Sequence, residues 1–284
     1  MVLGSTLVLP VLLNAKKEPE LNHTRIFYPS GDLQVSADLI RPVEGKWPLI
    51  LLNHGEIRRR QEELFLDPKR SFIVRKGQDI ARQGYVVMIC HYRGFGASEG
   101  ERAGLWEDLD DLEAGLDMIR RQPFMDPDRI ALIGGDIGGT LTYLLCQKRT
   151  DIKAAVVFDA PVDFLDPIGA FRRDNILTLQ IRKDLARRMG GSPEDRPELY
   201  RPLSPCYEMK KMHAPVLIIH AGDDNFVPLR QAQLAKSALL KNQKPFKFLL
   251  VPEADQYLFF TPAKRGPGKL AWQEVYRFLE KYLK

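Results

Sequence analysis

In the stretch Gly134-Gly135-Asp136-Ile137-Gly138-Gly139 a carboxylate stands at the apex of a glycine-packed turn. The turn joins an apolar run, "RIALIG" (129–134), to a small-residue helical run ending near Leu145. Glycines at these spacings allow a turn too tight for a Cβ and let the helix pack against the strand. Such a turn lifts its apex side chain above a sheet, and Asp tolerates the positive φ required there better than most residues. A carboxylate so presented can attack carbon, forming an ester that water must then cleave with the help of a base. The plainer reading of the same glycines is a strand-to-helix turn with an exposed Asp, an anion or nucleotide loop.

The base is harder to find. The chain has five histidines, His23, His54, His91, His213 and His220, and none within residues 221–284. His54 and His91 close the apolar runs "PLILLNH" (48–54) and "YVVMICH" (85–91), where a parallel sheet gathers its site. Both are candidate pocket residues; the structural alternative is a hydrogen-bonded loop anchor. His220 reads as buried at a strand end, His23 and His213 as surface residues. Arg93 either pairs with an acid near the site or braces its own loop. Asp223-Asp224-Asn225 is the one group that suggests a metal, and no neighbouring ligand spacing supports it, so neither metal nor cofactor is expected. Three cysteines at scattered spacing form neither a disulfide framework nor a metal motif; Cys90 and Cys146, inside apolar runs, read as inert buried thiols.

Short β-rich apolar runs alternate with helical patterns along the chain, the signature of a largely parallel α/β sheet. Two opening strands, "TRIFYPS" (24–30) and "LQVSADLIRP" (33–42), flank a hairpin turn at Ser30-Gly31-Asp32. Further strands are expected at 48–54, 85–91, 129–134, 154–160, 215–221 and 246–252, each nearly continuous in apolar residues, as strands covered on both faces are. Leu109, Leu112, Leu116 and Ile119 mark one face of a helix, with acids at its start and Arg120-Arg121 at its end to suit its dipole. The chain closes on an amphipathic helix through Leu270, Val275, Phe278, Leu279 and Tyr282. From about 161 to 214 no strong strand occurs, only polar helical patterns, Gly190-Gly191 and prolines: an insert or lid.

At 284 residues, with 44% hydrophobic and 28% charged residues, the chain suits one large globular domain. The net charge of +5 comes with short clusters such as Arg58-Arg59-Arg60 but no basic stripe interleaved with aromatics, which argues against nucleic acid as a partner. Residues 1–23 form a segment before the domain at 24–284; its apolar run from Thr6 to Leu13 is too short to span a membrane. That run lacks the basic flank and small-residue cleavage site of a signal peptide, so a cytoplasmic protein is expected, with export left open. The expected partner is a small-molecule substrate or ligand.

Three more segments join the elbow. "LLNHGE" (51–56) ends a strand with His54-Gly55, where a backbone N–H is offered to a developing oxyanion. "HYRGFGASEGE" (91–101) follows the next strand, and "HAGDDNFVP" (220–228) ends a late one with Asp224. In this order the set resembles the α/β-hydrolase fold, in the prolyl-oligopeptidase and dienelactone-hydrolase branch with its Y-R-G-x-G-x-S and H-G-x-x-D-x-x-V-P segments. "IKAAVVFDAPVDFLD" and "ELYRPLSPCYEMKKMHAPVLIIH" are similar to that branch's passages around its insert, so the resemblance covers roughly residues 24–284.

The resemblance implies an α/β fold: a mostly parallel sheet of about eight strands, helices on both faces and a helical insert. It also implies a serine at the position of Asp136, an acid at Asp224, and a histidine in the turn after the last strand. That turn reads "VPEADQYLFF", with Gln256 at the histidine's position. Gly55, Glu56 and Ile137 occupy the positions that supply oxyanion N–H groups. Neutral Gln cannot take and return a proton, and carboxylates at 56 and 136 oppose an oxyanion by like charge. The expectation is therefore a relative of serine esterases and peptidases that is weak or inactive as a serine hydrolase. Two alternatives stand beside it. One is an Asp-nucleophile hydrolase, similar to dehalogenases and epoxide hydrolases that present G-x-D-x-G-G, with another group substituting for the missing base. The other is a ligand-binding pseudoenzyme.

Overall fold

Alternation of side chains along the apolar runs divides two cores. In the computed structural model, which describes residues 18–55, 67, 71–166, 168–261 and 266–284, eight strands form one sheet. They are β1 (Leu21–Ser30), β2 (Leu33–Pro42), β3 (Trp47–Asn53), β4 (Val86–Cys90), β5 (Met125–Gly135), β6 (Ala154–Phe158), β7 (Val216–Asp223) and β8 (Phe246–Asp255). Their order is β1-β2-β4-β3-β5-β6-β7-β8; β1–β2 and β2–β4 are antiparallel and the remaining pairs parallel. In β3, Leu49 and Leu51 face one core and Ile50 and Leu52 the other; Ile130 and Leu132 against Ala131 and Ile133 repeat this in β5. A sheet buried on both faces needs apolar residues at successive positions, which is why these runs are continuous rather than alternating.

Helices cover both faces. On the first lie α2 (Leu105–Ile119), α3 (Ile137–Lys148), α4 (Ile176–Met189) and α6 (Leu229–Lys241); on the second α1 (Phe72–Ala81) and α7 (Gly266–Leu283). The stretch between β6 and β7 holds α4, the single turn α5 (Pro197–Tyr200) and a 3-10 segment, Pro205–Lys211. Asn175 caps α4 by accepting from Leu177 N–H, and Gly190 ends it in the left-handed region at φ +78. The sequence reading has no counterpart for α1, because Lys76 and Gly77 interrupt its apolar face; both are nevertheless buried. Among the described residues no helix is long and apolar enough to cross a membrane.

Strand ends differ from the sequence reading where it matters. β5 begins at Met125, since Met125 pairs with Trp47 before a register shift. β7 and β8 run past their apolar stretches to Asp223 and Asp255, which pair across a bulge. Polar residues at the carboxyl end of a parallel sheet thus continue the ladder, and the segments carrying Asp224 and Gln256 leave the sheet side by side. The start of α2 is also revised: Glu107 and Asp108 lie in its first turn, but Asp111 is fully buried and accepts from Arg93 instead of facing solvent. The N-terminal run 6–13, the Arg58–Arg60 cluster and Glu56 lie outside the described residues.

Candidate active site

Asp136 caps α3 with φ +54 and ψ −129, the only non-glycine strain in the elbow. Its N–H donates to Phe158 O (3.0 Å), and its carbonyl accepts from Gly139 N–H (2.9 Å) and Thr140 N–H (3.3 Å), so the turn is locked from both sides. The flanking glycines are required by contact. A Cβ on Gly138 would lie 2.3 Å from Asn53 O, and one on Gly134 would lie 2.2 Å from Gly138 O. Asn53 reinforces the crossing by donating to Thr142 Oγ1 (2.9 Å), which donates in turn to Gly138 O (2.8 Å). The strand-to-helix turn expected from the glycines is the one observed.

Gly55, at the end of β3, lies directly against this carboxylate: a Cβ there would meet Asp136 Cβ at 2.8 Å and Oδ2 at 2.9 Å. Ile137 opens α3, so its N–H is among the four that a helix start leaves without an intrahelical acceptor. The third position named for oxyanion contacts, Glu56, is outside the described residues.

On the other side, Asp224 is buried in the turn after β7. Its Oδ1 accepts from Phe226 N–H (2.6 Å) and Val227 N–H (2.9 Å), while Oδ2 has no hydrogen-bond partner. Burial pushes its carboxyl up to about 6, against the pull of those two N–H groups. Gln256 follows β8 in a half-buried turn, its Oε1 also without a hydrogen-bond partner. The Phe226 and Tyr257 rings meet edge to face at 6.2 Å, so the turn bearing Gln256 packs on the turn bearing Asp224.

Asp159 is the residue that sequence reasoning did not assign to this end. Asp159 follows β6 at φ +48; its N–H donates to Ile219 O (3.0 Å) and its Oδ1 accepts from Ala221 N–H (2.7 Å). Burial first, and then the charges of Asp224, Asp136 and Asp255, hold its carboxyl well above the usual range. His220 is fully buried at the end of β7, as expected; burial lowers its imidazole to about 4. The signal for Asp159 was present in "VVFDAP": a polar residue leaving the carboxyl end of a parallel strand falls where such sheets gather their sites.

The three pocket candidates resolve differently. His54 is buried, its ring tilted at 49° to that of Tyr92 with centroids 4.5 Å apart, and tied through Nδ1 to Gly55 O (2.8 Å). Burial lowers it to about 3. His91 is fully buried between Ser36 Oγ (3.1 Å) and Asp38 (3.0 Å). Arg93 grips Asp111. The polar atoms of the last two are engaged on the β1–β2 side of the sheet, the arrangement of the loop-anchor alternative. His23 is also corrected from a surface residue: it lies 3.2 Å from the buried Asp38, with its side chain 19% exposed. A cavity of about 260 Å³ opens in the segment between β6 and β7, lined by Phe164, Phe171, Leu185 and Tyr200 with Arg173 and Glu194; Asp136, Asp159 and Asp224 are not in its wall.

A model of the prolyl oligopeptidase family matches residues 72–284, from α1 to the C-terminus. The chain belongs to the prolyl oligopeptidase family. It is 30% identical over 233 residues to the uncharacterized peptidase YtmA of Bacillus subtilis, covering 78% of this chain and 82% of that one. It is 28% identical over 247 residues to the uncharacterized peptidase YuxL of the same organism, spanning 34% of that longer chain. Among solved structures it is similar to Pyrococcus horikoshii acylaminoacyl peptidase, with a TM-score of 0.73 at 21% identity over 93% of this chain and 42% of that one. A Klebsiella pneumoniae chain assigned as a dienelactone hydrolase superposes with a TM-score of 0.66 at 17% identity, over 93% and 100% of the two chains. At such identities the structural likeness establishes the α/β-hydrolase fold, which is the fold expected from the ordered motifs.

Proposed function

We propose that this prolyl-oligopeptidase-family member is weak or inactive as a serine hydrolase, with Asp136 and Gln256 standing where nucleophile and base act in its relatives. The observation that carries the reading is the carboxylate at the apex of the elbow, held at φ +54 against Gly55. Acyl transfer needs a hydroxyl nucleophile, an imidazole to move its proton and a site that favours an oxyanion. None of the five histidines supplies the imidazole. His54 and His220 are buried and depressed to about 3 and about 4, far from a base poised near neutral pH. His91 and His23 engage Asp38, and His213 is exposed on the loop before β7. The electrostatics point the same way, since Asp136, Asp224 and Asp255 already act on Asp159 by like charge. A developing oxyanion would be a further anion among them.

A small ester or peptide is the ligand class the family suggests for this end of the sheet. The reading is tested on purified protein beside its Asp136→Ala variant, with an activated acyl ester, a chromogenic dipeptide, an epoxide and a haloacid. Equal background rates for both proteins are expected. Ester or peptide turnover that disappears in Asp136→Ala overturns the reading. Turnover of the epoxide or haloacid with an alkyl ester trapped on Asp136 replaces it with Asp-nucleophile hydrolysis, for which the half-buried carboxylate at the apex of the elbow is the supporting feature. Thermal stabilisation by a peptide that is never cleaved supports a ligand-binding role.

A further inference from the structure

Three side chains at the carboxyl ends of β6 and β7 have no role in the reading above as a group. Asp159, His220 and Asp224 each offer one ligand atom, all within 4.8 Å of one another, and the residues are 5%, 0% and 6% exposed. Every one of them has a polar atom anchored to the backbone and a second with no hydrogen-bond partner. Asp159 Oδ1 accepts from Ala221 N–H at 2.7 Å while Oδ2 is unpartnered. Asp224 Oδ1 accepts from Phe226 and Val227 N–H groups while Oδ2 is unpartnered. His220 Nε2 faces Val227 O at 3.2 Å while Nδ1 is unpartnered.

A carbonyl only accepts, so Nε2 carries the ring proton and Nδ1 presents a lone pair. That lone pair lies 3.5 Å from Asp159 Oδ1, and a carboxylate oxygen of Asp224 belongs to the same group of ligand atoms. Lone pairs and carboxylate oxygens gathered this way in a dry interior repel one another unless a proton or a cation sits between them. A separation of roughly 3.4 Å is the edge of a tetrahedron of donors about 2.1 Å from a cation, which is the reach of imidazole and carboxylate ligands. The backbone bonds are those of a metal-site outer shell: the imidazole N–H on a carbonyl and one oxygen of each carboxylate on amides.

We propose that Asp159, His220 and Asp224 bind one divalent first-row transition cation. One nitrogen and two carboxylates suit Zn²⁺ or Mn²⁺ and leave a coordination position open. The ligands come from the end of β7 and the turns that follow β6 and β7, so no local spacing in the sequence announces all three.

The test uses the full chain, stripped with a chelator and dialysed, titrated with Mn²⁺ and separately with Zn²⁺. One ion per chain is expected, with a rise in melting temperature of roughly 5–10 °C at about 100-fold excess over Kd. Asp159→Asn and Asp224→Asn keep the side-chain shape and are expected to weaken binding about 10–100-fold each. The Mn²⁺ form should show electron-spin-echo coupling to an imidazole nitrogen, a readout that needs no variant to fold. Lack of one-to-one uptake of either ion overturns the proposal, as does uptake unchanged in both Asn variants or a missing nitrogen coupling. Stabilisation of the metal-free protein by Asp159→Asn without metal uptake would identify a shared proton in the gap instead. Asp136→Ala is expected to leave metal uptake intact, so the outcome is independent of the ester and epoxide assays.

Discussion

Replacing Arg93 with Met strips the guanidinium from a carboxylate that has nowhere else to go. Asp111 is fully buried on α2 and accepts from Arg93 Nη2 at 2.7 Å, Arg93 Nε at 3.2 Å, Arg93 N–H at 2.6 Å and Ser30 Oγ–H at 2.6 Å. The Arg93 side chain is 18% exposed, so the pair is shielded mainly on the acid's side. Removing one partner of a buried ion pair costs roughly 3–5 kcal/mol, because the other charge stays buried and uncompensated. The two donors that survive in Arg93→Met, its own N–H and the Ser30 hydroxyl, place the expected loss near the lower end, about 3 kcal/mol. For a chain of this size that corresponds to a drop in melting temperature of roughly 6–12 °C. The assay is thermal and urea unfolding of Arg93→Met, Asp111→Asn and the double variant. The double-mutant cycle should return a coupling of about 2 kcal/mol, since the neutral amide no longer strands a charge. A drop below about 2 °C, or strict additivity in the cycle, would refute the assignment of Arg93 as an anchor and return it to the pocket.

Lys76 predicts a pH effect. It is buried with Nζ donating to Thr261 O (2.7 Å) and 4.0 Å from the centre of the Trp272 ring, and burial lowers its ammonium from 10.5 to about 8. Between those values the unfolded chain holds a proton the folded one has released, so stability rises with pH through about 8 to 10.5. The gain reaches at most about 3 kcal/mol and is absent in Lys76→Met, as urea midpoints of both proteins at pH 7.5 and 10.5 would show. If both proteins respond alike, the burial argument fails. Gly138→Ala should cost more than about 3 kcal/mol, because its Cβ would strike the β3 backbone at Asn53 O and His54 O. Gly190→Ala, at φ +78 with open space around it, should cost only about 1 kcal/mol; equal losses in soluble yield and melting temperature would show that crowding is not what the elbow glycines relieve.

Local chemistry explains what was legible in the sequence. An apolar run such as "PLILLNH" can only be a strand covered on both faces, and glycines at 134, 135, 138 and 139 can only close a turn where backbone meets backbone, so the fold and the elbow were determined by residues near one another in the chain. The placing of Asp136 at the apex was legible for the same reason: it sits in a short motif whose glycine frame is intact. The partners of the polar residues were not local. His91 and Arg93 end or follow an apolar strand, as pocket residues do, yet their partners Asp38 and Asp111 lie 53 and 18 residues away. Asp159 joins Asp224 only because β6 and β7 are neighbours in the sheet and both extend to the same edge. Hydrogen bonds and charges act over a few ångströms in space, with no regard for separation along the chain. The sequence by itself therefore determined which side chains stand at the carboxyl edge of the sheet, and the tertiary structure alone decided which of them face one another.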